Sequence, residues 1–231
     1  MTKSTSAPVL LLGLETSGWT CSVGLSRDNR LQMEIATHLK HIHSTHLAPF
    51  VERVLKTLRV SPAHLSALVV SAGPGSFTGL RIGYSLAKGL AHTLQIPLIE
   101  VPTLDVWAFQ TGPQSHPIFP VIDAHREEVF TAEYQYRENF QRISDYQLLS
   151  LEAFCETVIK KSGVVTGQDV QRFEGIFREQ CPRNSHIFRP NPPHPAQWAL
   201  LDLGYQKYLK KDFALLESAE PMYMRAFKGV L

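Results

Sequence analysis

The chain has 231 residues, of which 44% are apolar and 19% charged, and its net charge is +2 with histidine neutral. This composition describes a folded globular protein with one large or two small cores and excludes an intrinsically disordered chain. The charge is too small for a dedicated nucleic-acid binder, which needs a basic face.

Cys21, Cys155 and Cys181 are widely spaced, odd in number and include no CxxC pair, which argues against a disulfide framework. The apolar run 9–14 is too short for a signal-peptide core, and no stretch reaches the length of a membrane span. The expected location is the cytoplasm, without membrane contact.

In chain order, PVLLLGLE (8–15) is a continuous apolar run, as in a strand buried on both faces. WTCSVGLS (19–26) and LQMEIA (31–36) alternate and extend it into a three-strand meander. In STHLAPFVERVLKTL (44–58), Leu47, Val51, Val54, Leu55 and Leu58 recur at helical spacing, with Ser44 or Thr45 as the cap. A buried strand is predicted at 65–72, a helix at 80–94 and a strand at 97–101. The second half repeats the order: strands at 118–124, 126–137 and 140–149, a helix at 151–161, a strand at 163–167, a helix at 168–179 and a strand at 186–190. A last helix is predicted over 195–211, and RPNPPHP (189–195) reads as a rigid loop. Each half begins with a strand that ends in a carboxylate, Glu15 and Asp123. The expected fold is α/β, a duplicated actin-like ATPase (ribonuclease H-like) architecture with two βββαβα-type subdomains. The expected boundaries are 1–108 and 109–231, with the last helix free to pack on the first subdomain.

SAGPGSFTGLRIG (71–83) joins a strand to a helix. Gly73 and Gly79 lack the following Lys-Ser/Thr of a phosphate loop, and the glycine spacing misses the dinucleotide fingerprint by one residue. Gly73 and Gly75 serve the turn itself. Gly79, Gly83, Ala87 and Ala91 fall four apart and form a stripe of small residues along the helix. Such a stripe admits a close neighbour, either the protein's own first helix or a partner's.

Other candidates are weaker. His38, His41, His43 and His46 straddle a strand end and a helix start, which gives no regular ligand geometry. Glu15 and Asp123 are a possible acid–base pair across a cleft. Ser17 and Ser76 lie in glycine-flanked turns but not in a G-x-S-x-G elbow.

LLGLETSGWTCSVGL, HSTHLAPFVERVL, SAGPGSFTGLRIGYSLAKGLA with PLIEVPTLDVWA, VIDAHREEVFTAEY and EPMYMRAF together resemble the TsaB (YeaZ) family over nearly the whole chain. TsaB proteins are similar to TsaD, the catalytic subunit that installs threonylcarbamoyl on the tRNA adenosine beside the anticodon. The resemblance implies a non-catalytic partner subunit without cofactor or metal. Its implied associates are a TsaD-like subunit, a TsaE-like ATPase through the complex, a second copy of the chain in isolation, and tRNA through the complex. The implied interface lies on the first helix (Leu47, Phe50, Val51, Val54) and the glycine-led helix (Phe77, Gly79, Arg81, Gly83, Tyr84, Ala87, Lys88). In TsaD-like enzymes the segment corresponding to PTLDVW reads N-H-x-E-G-H, and its two histidines hold the metal; Thr103 and Trp107 stand in their places here. Most relatives have aspartate at the position of Glu15, and many have arginine at that of His125. The rival reading is an enzyme in its own right, a nucleotide-binding ATPase or a glycoprotease-like protein.

Overall fold

The computed structural model describes residues 7–39, 42–180, 186–187 and 194–224. In chain order the elements are β1 (Leu10–Glu15), β2 (Cys21–Arg27), β3 (Arg30–Thr37), α1 (His43–Leu58), a short 3-10 turn (Pro62–His64), β4 (Ala67–Ser71), α2 (Phe77–Leu94), β5 (Leu98–Val101) and α3 (Thr103–Phe109). They continue with β6 (Ile118–Pro120), β7 (Ile122–His125), β8 (Glu128–Thr131), β9 (Tyr134–Tyr136), β10 (Phe140–Arg142), β11 (Gln147–Ser150), α4 (Leu151–Lys161), β12 (Val164–Thr166), α5 (Val170–Gln180), β13 (His186–Ile187) and α6 (Gln197–Leu209). Residues 188–190 of the predicted strand, most of the proline-rich loop, His41 and Cys181 lie outside the described residues.

The chain forms two compact units. One comprises Met1–Ser71, Phe77–Val101 and Gln197–Glu220; the other comprises Ala72–Ser76, Pro102–Ala196 and Pro221–Leu231. In the first unit the sheet order is β3-β2-β1-β4-β5. β1 pairs antiparallel with β2 and parallel with β4, and β4 pairs parallel with β5. All of β1 and β4 is buried, because helices cover both faces; this is why their sequences are unbroken apolar runs. Gly13 opens toward Gln197 and Leu201 of α6, while Thr16, of opposite parity, meets Gly83 of α2. Gly204 of α6 in turn lies close against Val69 of β4, so glycines on both surfaces bring α6 down onto the sheet. α1 runs through Pro49, and its N-cap is Ile42, without a side-chain cap from Ser44 or Thr45. It stops at Arg59, which turns left-handed and donates to the carbonyls of Leu55 and Lys56.

The second unit repeats the order, but each of its three meander strands is broken in two. The main sheet runs β10-β9-β6-β12-β13, and the outer halves pair separately as β11-β8-β7. The break falls at Val121, whose N–H donates to Thr166 O at 2.8 Å. Gly167, with φ +122°, lies against the Val121 backbone, where a Cβ has no room. One core packs Phe119, Phe154, Phe173 and Phe177 between sheet and helices α4 and α5. A second gathers Leu104, Trp107, Ile118 and Tyr134 beneath α3.

Candidate partner groove and strand-end carboxylates

The two helices singled out by sequence lie side by side in the first unit and leave an open groove of 520 Å³ between them. Leu47 and Ala48 line it from α1, and Phe77, Arg81, Ile82 and Ser85 line it from α2. The predicted interface residues divide by facing. Leu47, Val51 and Val54 of α1, and Gly79, Gly83, Tyr84 and Ala87 of α2, are buried within the unit. Phe50, Phe77 and Lys88 are half-buried and Arg81 is exposed. The Arg81 guanidinium carbon stands 3.7 Å from the centroid of the Phe77 ring, a cation–π contact at the rim. Tyr84 donates to Glu100 Oε1 at 2.8 Å. Lys88 is turned away from the groove and donates to Ala219 O at 2.9 Å and Glu217 O at 3.4 Å, latching the segment after α6.

The stripe of small residues faces inward: Gly79, Gly83, Ala87 and Ala91 are all buried. A Cβ on Gly83 would collide with Thr16 Oγ1, so the close neighbour is the turn after β1. The neighbour is therefore neither α1 nor a partner's helix at that point.

The glycine turn is tied to α3, an element the sequence reading left out. Thr103 N–H donates to Gly73 O at 2.8 Å, and Gly73 N–H donates to Thr103 Oγ1 at 3.2 Å. Gly73 has φ +96°, a conformation that favours glycine. α2 begins at Phe77, three residues before the predicted start. The signal for α3 was present: Leu104, Trp107 and Ala108 repeat at helical spacing behind Pro102, and all three are buried. Trp107 fills the core beneath α3. Between them, Asp105 Oδ1 accepts hydrogen bonds from Tyr134 (2.7 Å) and Tyr146 (2.8 Å). The residues at 103, 105 and 107 are thus committed to packing and hydrogen bonding. A hydroxyl and an indole do not fit a metal in the manner of the His-x-x-x-His pair.

The carboxylates at the strand ends sit in two unlike settings. Glu15 is wholly buried. It accepts from Ser17 N–H at 2.6 Å, from the Ser17 hydroxyl at 2.5 Å and from the Ser71 hydroxyl. Burial raises its pKa to about 7, and the serine hydrogen bonds only partly oppose this. The same burial, with Glu15 nearby, lifts the Cys21 thiol to about 12. In the second unit Asp123 is paired with Arg172, and its Oδ1 accepts the His125 N–H at 2.8 Å. Asp169, at the start of α5, accepts the Asp123 N–H at 2.8 Å, and burial raises its pKa.

The histidines disperse among local partners. His38 Nδ1 meets Thr20 Oγ1 at 2.9 Å, His43 Nε2 lies 3.1 Å from Thr20 O, and His46 stands edge-on to Phe50. Among the described residues, no three His, Cys, Asp or Glu side chains converge as metal ligands, and no helix is long and apolar enough to cross a membrane. Ser17 is engaged with Glu15, and Ser76 is exposed in the glycine turn.

The family model of TsaD, tRNA N6-adenosine threonylcarbamoyltransferase, matches residues 36–170. The tRNA threonylcarbamoyladenosine biosynthesis protein TsaB of Bacillus subtilis (strain 168) is 30% identical over 227 residues, covering 94% of this chain and 99% of that protein. YeaZ from Pseudomonas aeruginosa superposes with a TM-score of 0.80 at 24% identity, over 94% of this chain and all of the other. The ROK hexokinase of Thermus thermophilus superposes with a TM-score of 0.51 at 12% identity, over 88% of this chain and 100% of that one. The two structural likenesses show the fold, a duplicated actin-like α/β architecture.

Proposed function

The chain belongs to the TsaB family of tRNA threonylcarbamoyladenosine biosynthesis proteins, and we propose that it serves that biosynthesis as a partner subunit without catalytic chemistry of its own. On this reading it docks a TsaD-type catalytic subunit in the groove between α1 and α2, with a TsaE-type ATPase and tRNA engaged through the complex. The groove is the observation that carries the reading. It exposes Phe77, Ile82 and Leu86 in part, on a pair of helices whose inward faces are buried. A helix laid into such a groove gains burial without ordering a loop. The contacts at Thr103 and Trp107 support the same reading, because the positions that carry the metal in TsaD-like enzymes hold the fold together here.

Ser85→Trp tests it. Ser85 is exposed and lines the groove, so an indole there obstructs the occupant while leaving the core intact. Affinity for a TsaD-type subunit from the same organism is expected to fall at least ~30-fold, about 2 kcal/mol, with an unchanged thermal melt. Undiminished affinity would contradict the reading.

A second reading, an ATPase in its own right, draws on the actin-like fold and on Glu15, whose carboxyl titrates near neutral pH. Nucleotide turnover by the isolated chain, abolished by Glu15→Gln, would favour it.

A further inference from the structure

We propose that the edge of the first sheet where β1, β4 and β5 begin is a binding face for the sugar-phosphate backbone of RNA, and that this chain touches tRNA directly through it. The choice of tRNA rests on the proposed role in its modification, but the face is separate from the docking groove. The groove is lined by the N-terminal parts of α1 and α2, whereas the edge lies at their C-terminal ends. Hydrogen bonds between neighbouring connections define it. The β2–β3 turn is tied to the start of β1, where Asp28 N–H donates to Val9 O and Val9 N–H donates to Asp28 Oδ1, both at 2.9 Å. The α1–β4 connection joins next, with Ser66 N–H donating to Leu10 O at 2.8 Å. Leu68 N–H donates to Pro97 O at 3.0 Å, at the end of the α2–β5 connection, and Ala214 N–H, just beyond α6, donates to Leu98 O at 2.9 Å. Asn29 in the β2–β3 turn donates to Asp202 of α6 at 3.0 Å. These connections lie side by side across five strands, a strip roughly 19 Å long at about 4.8 Å between strands.

The small net charge of the chain conceals the charge of this edge. Arg27 and Arg30 flank the β2–β3 turn, Lys56 and Arg59 end α1, and Lys207, Lys210 and Lys211 end α6. Against these seven cations stand Asp28, Asp202 and Asp212, so the edge carries a surplus of four in a chain whose total surplus is two, and the rest of the chain is net acidic. Each aspartate is already engaged: Asp28 with Val9 N–H, Asp202 with Asn29 and Gln206, and Asp212 with Lys207 at 2.7 Å. Lys56 and Lys207 sit in the last turns of their helices, where a cation offsets the partial negative charge of the helix end. Arg27, Arg30, Arg59, Lys210 and Lys211 are left; all five are exposed, and among the described residues none forms an ion pair. Like charges gathered on one edge repel and do nothing for the fold. A polyanion reverses the sign, because each cation that meets a phosphate releases a condensed counterion. The ring of Phe213, 38% exposed beside the lysine pair, adds a face on which an unpaired base can stack, a use that an acidic polypeptide does not have for it.

The test is titration of a labelled tRNA transcript, read by fluorescence anisotropy at about 50 and 200 mM salt, against the chain alone and against its assembly with the TsaD-type subunit. Four proteins are compared: wild type, the double variant Arg27→Gln with Arg30→Gln, the double variant Lys210→Gln with Lys211→Gln, and a control, Lys160→Gln with Arg178→Gln, which removes two exposed charges from the second unit. Each edge variant is expected to bind tRNA about three- to tenfold more weakly and to lose about 1–2 from the slope of log affinity against log salt, close to one per phosphate contact. The control is expected to match wild type, and the edge variants are expected to keep their thermal melt and their affinity for the TsaD-type subunit. Wild-type tRNA binding by both edge variants, or an equal loss in the control, would overturn the proposal. So would polyglutamate that competes as well as unlabelled tRNA, which assigns the edge to an acidic polypeptide, or loss of TsaD-type binding by the edge variants, which assigns it to a protein interface. Ser85→Trp reads the groove separately: if it leaves partner binding intact, the docking role fails while the titrations on the chain alone still decide the RNA face.

Discussion

Glu15 is a carboxyl placed where ionisation is unfavourable, and stability should record it. In the unfolded chain the group ionises near pH 4.5, whereas in the folded unit it does so near pH 7. Its contribution to stability is therefore complete below about pH 4.5 and is lost as pH rises through 7, because the unfolded state releases the proton first. The loss across that window is about 3 kcal/mol. Glu15→Gln keeps the shape and an oxygen that accepts from Ser17 but cannot ionise. Denaturant unfolding at pH 5 and pH 8 is expected to show a smaller drop for the variant than for the wild type; equal drops would contradict the assignment. Asp169 is raised by burial in the same direction, so the difference between the two proteins is the informative quantity. The sequence showed that both first strands end in an acid, because an apolar run that stops at a carboxylate is visible by eye. It could not show the settings of the acids. Ser71 is 56 residues from Glu15, and Arg172 is 49 residues from Asp123. Only the parallel β1–β4 pairing and the packing of α5 bring those partners in.

At the scale of elements, Gly83 on α2 and Thr16 after β1 form one contact. A methyl group on Gly83 collides with Thr16 Oγ1, and that hydroxyl is buried without a hydrogen-bond partner among the described residues. Gly83→Ala is expected to destabilise the protein by about 1–3 kcal/mol through overpacking. Thr16→Ala removes the colliding oxygen and an unsatisfied group together, and is expected to be close to neutral. The double variant should recover most of the loss, giving a coupling energy of at least ~1 kcal/mol in a double-mutant cycle; additive effects would show that the two side chains do not meet. Long periodic elements were legible. α1, α4, β1 and β4 stand within two residues of where the patterns of Leu47, Val51, Leu55 and the apolar runs put them. The misses have physical causes. α3 has only seven residues, too few for a period to stand out beside the glycine turn. The broken meander of the second unit follows from the close approach of Gly167 to Val121, a tertiary contact with no local signal. The inward facing of the Gly79–Ala91 stripe was likewise invisible, since small residues at a four-residue spacing suit an internal neighbour and an external one equally.

At the scale of the whole molecule, the chain has the duplicated actin-like fold of its structural neighbours, and its Thr103 and Trp107 are engaged in hydrogen bonding and core packing. The family was legible from the motifs. The division of the helix residues between core and groove was not, because it depends on how α1 and α2 sit on the sheet. A reconstituted threonylcarbamoylation assay tests the central claim most directly. It contains tRNA, a TsaD-type subunit, a TsaE-type ATPase and threonylcarbamoyl-AMP, and this chain is added as wild type, Ser85→Trp or Glu15→Gln. Modification is expected to require the wild-type chain, to fail with Ser85→Trp in step with its lost affinity, and to proceed with Glu15→Gln at a rate within about threefold of wild type, since no transition-state contact is removed. A thousandfold fall with Glu15→Gln while the complex still forms, or full modification with Ser85→Trp, would contradict the account.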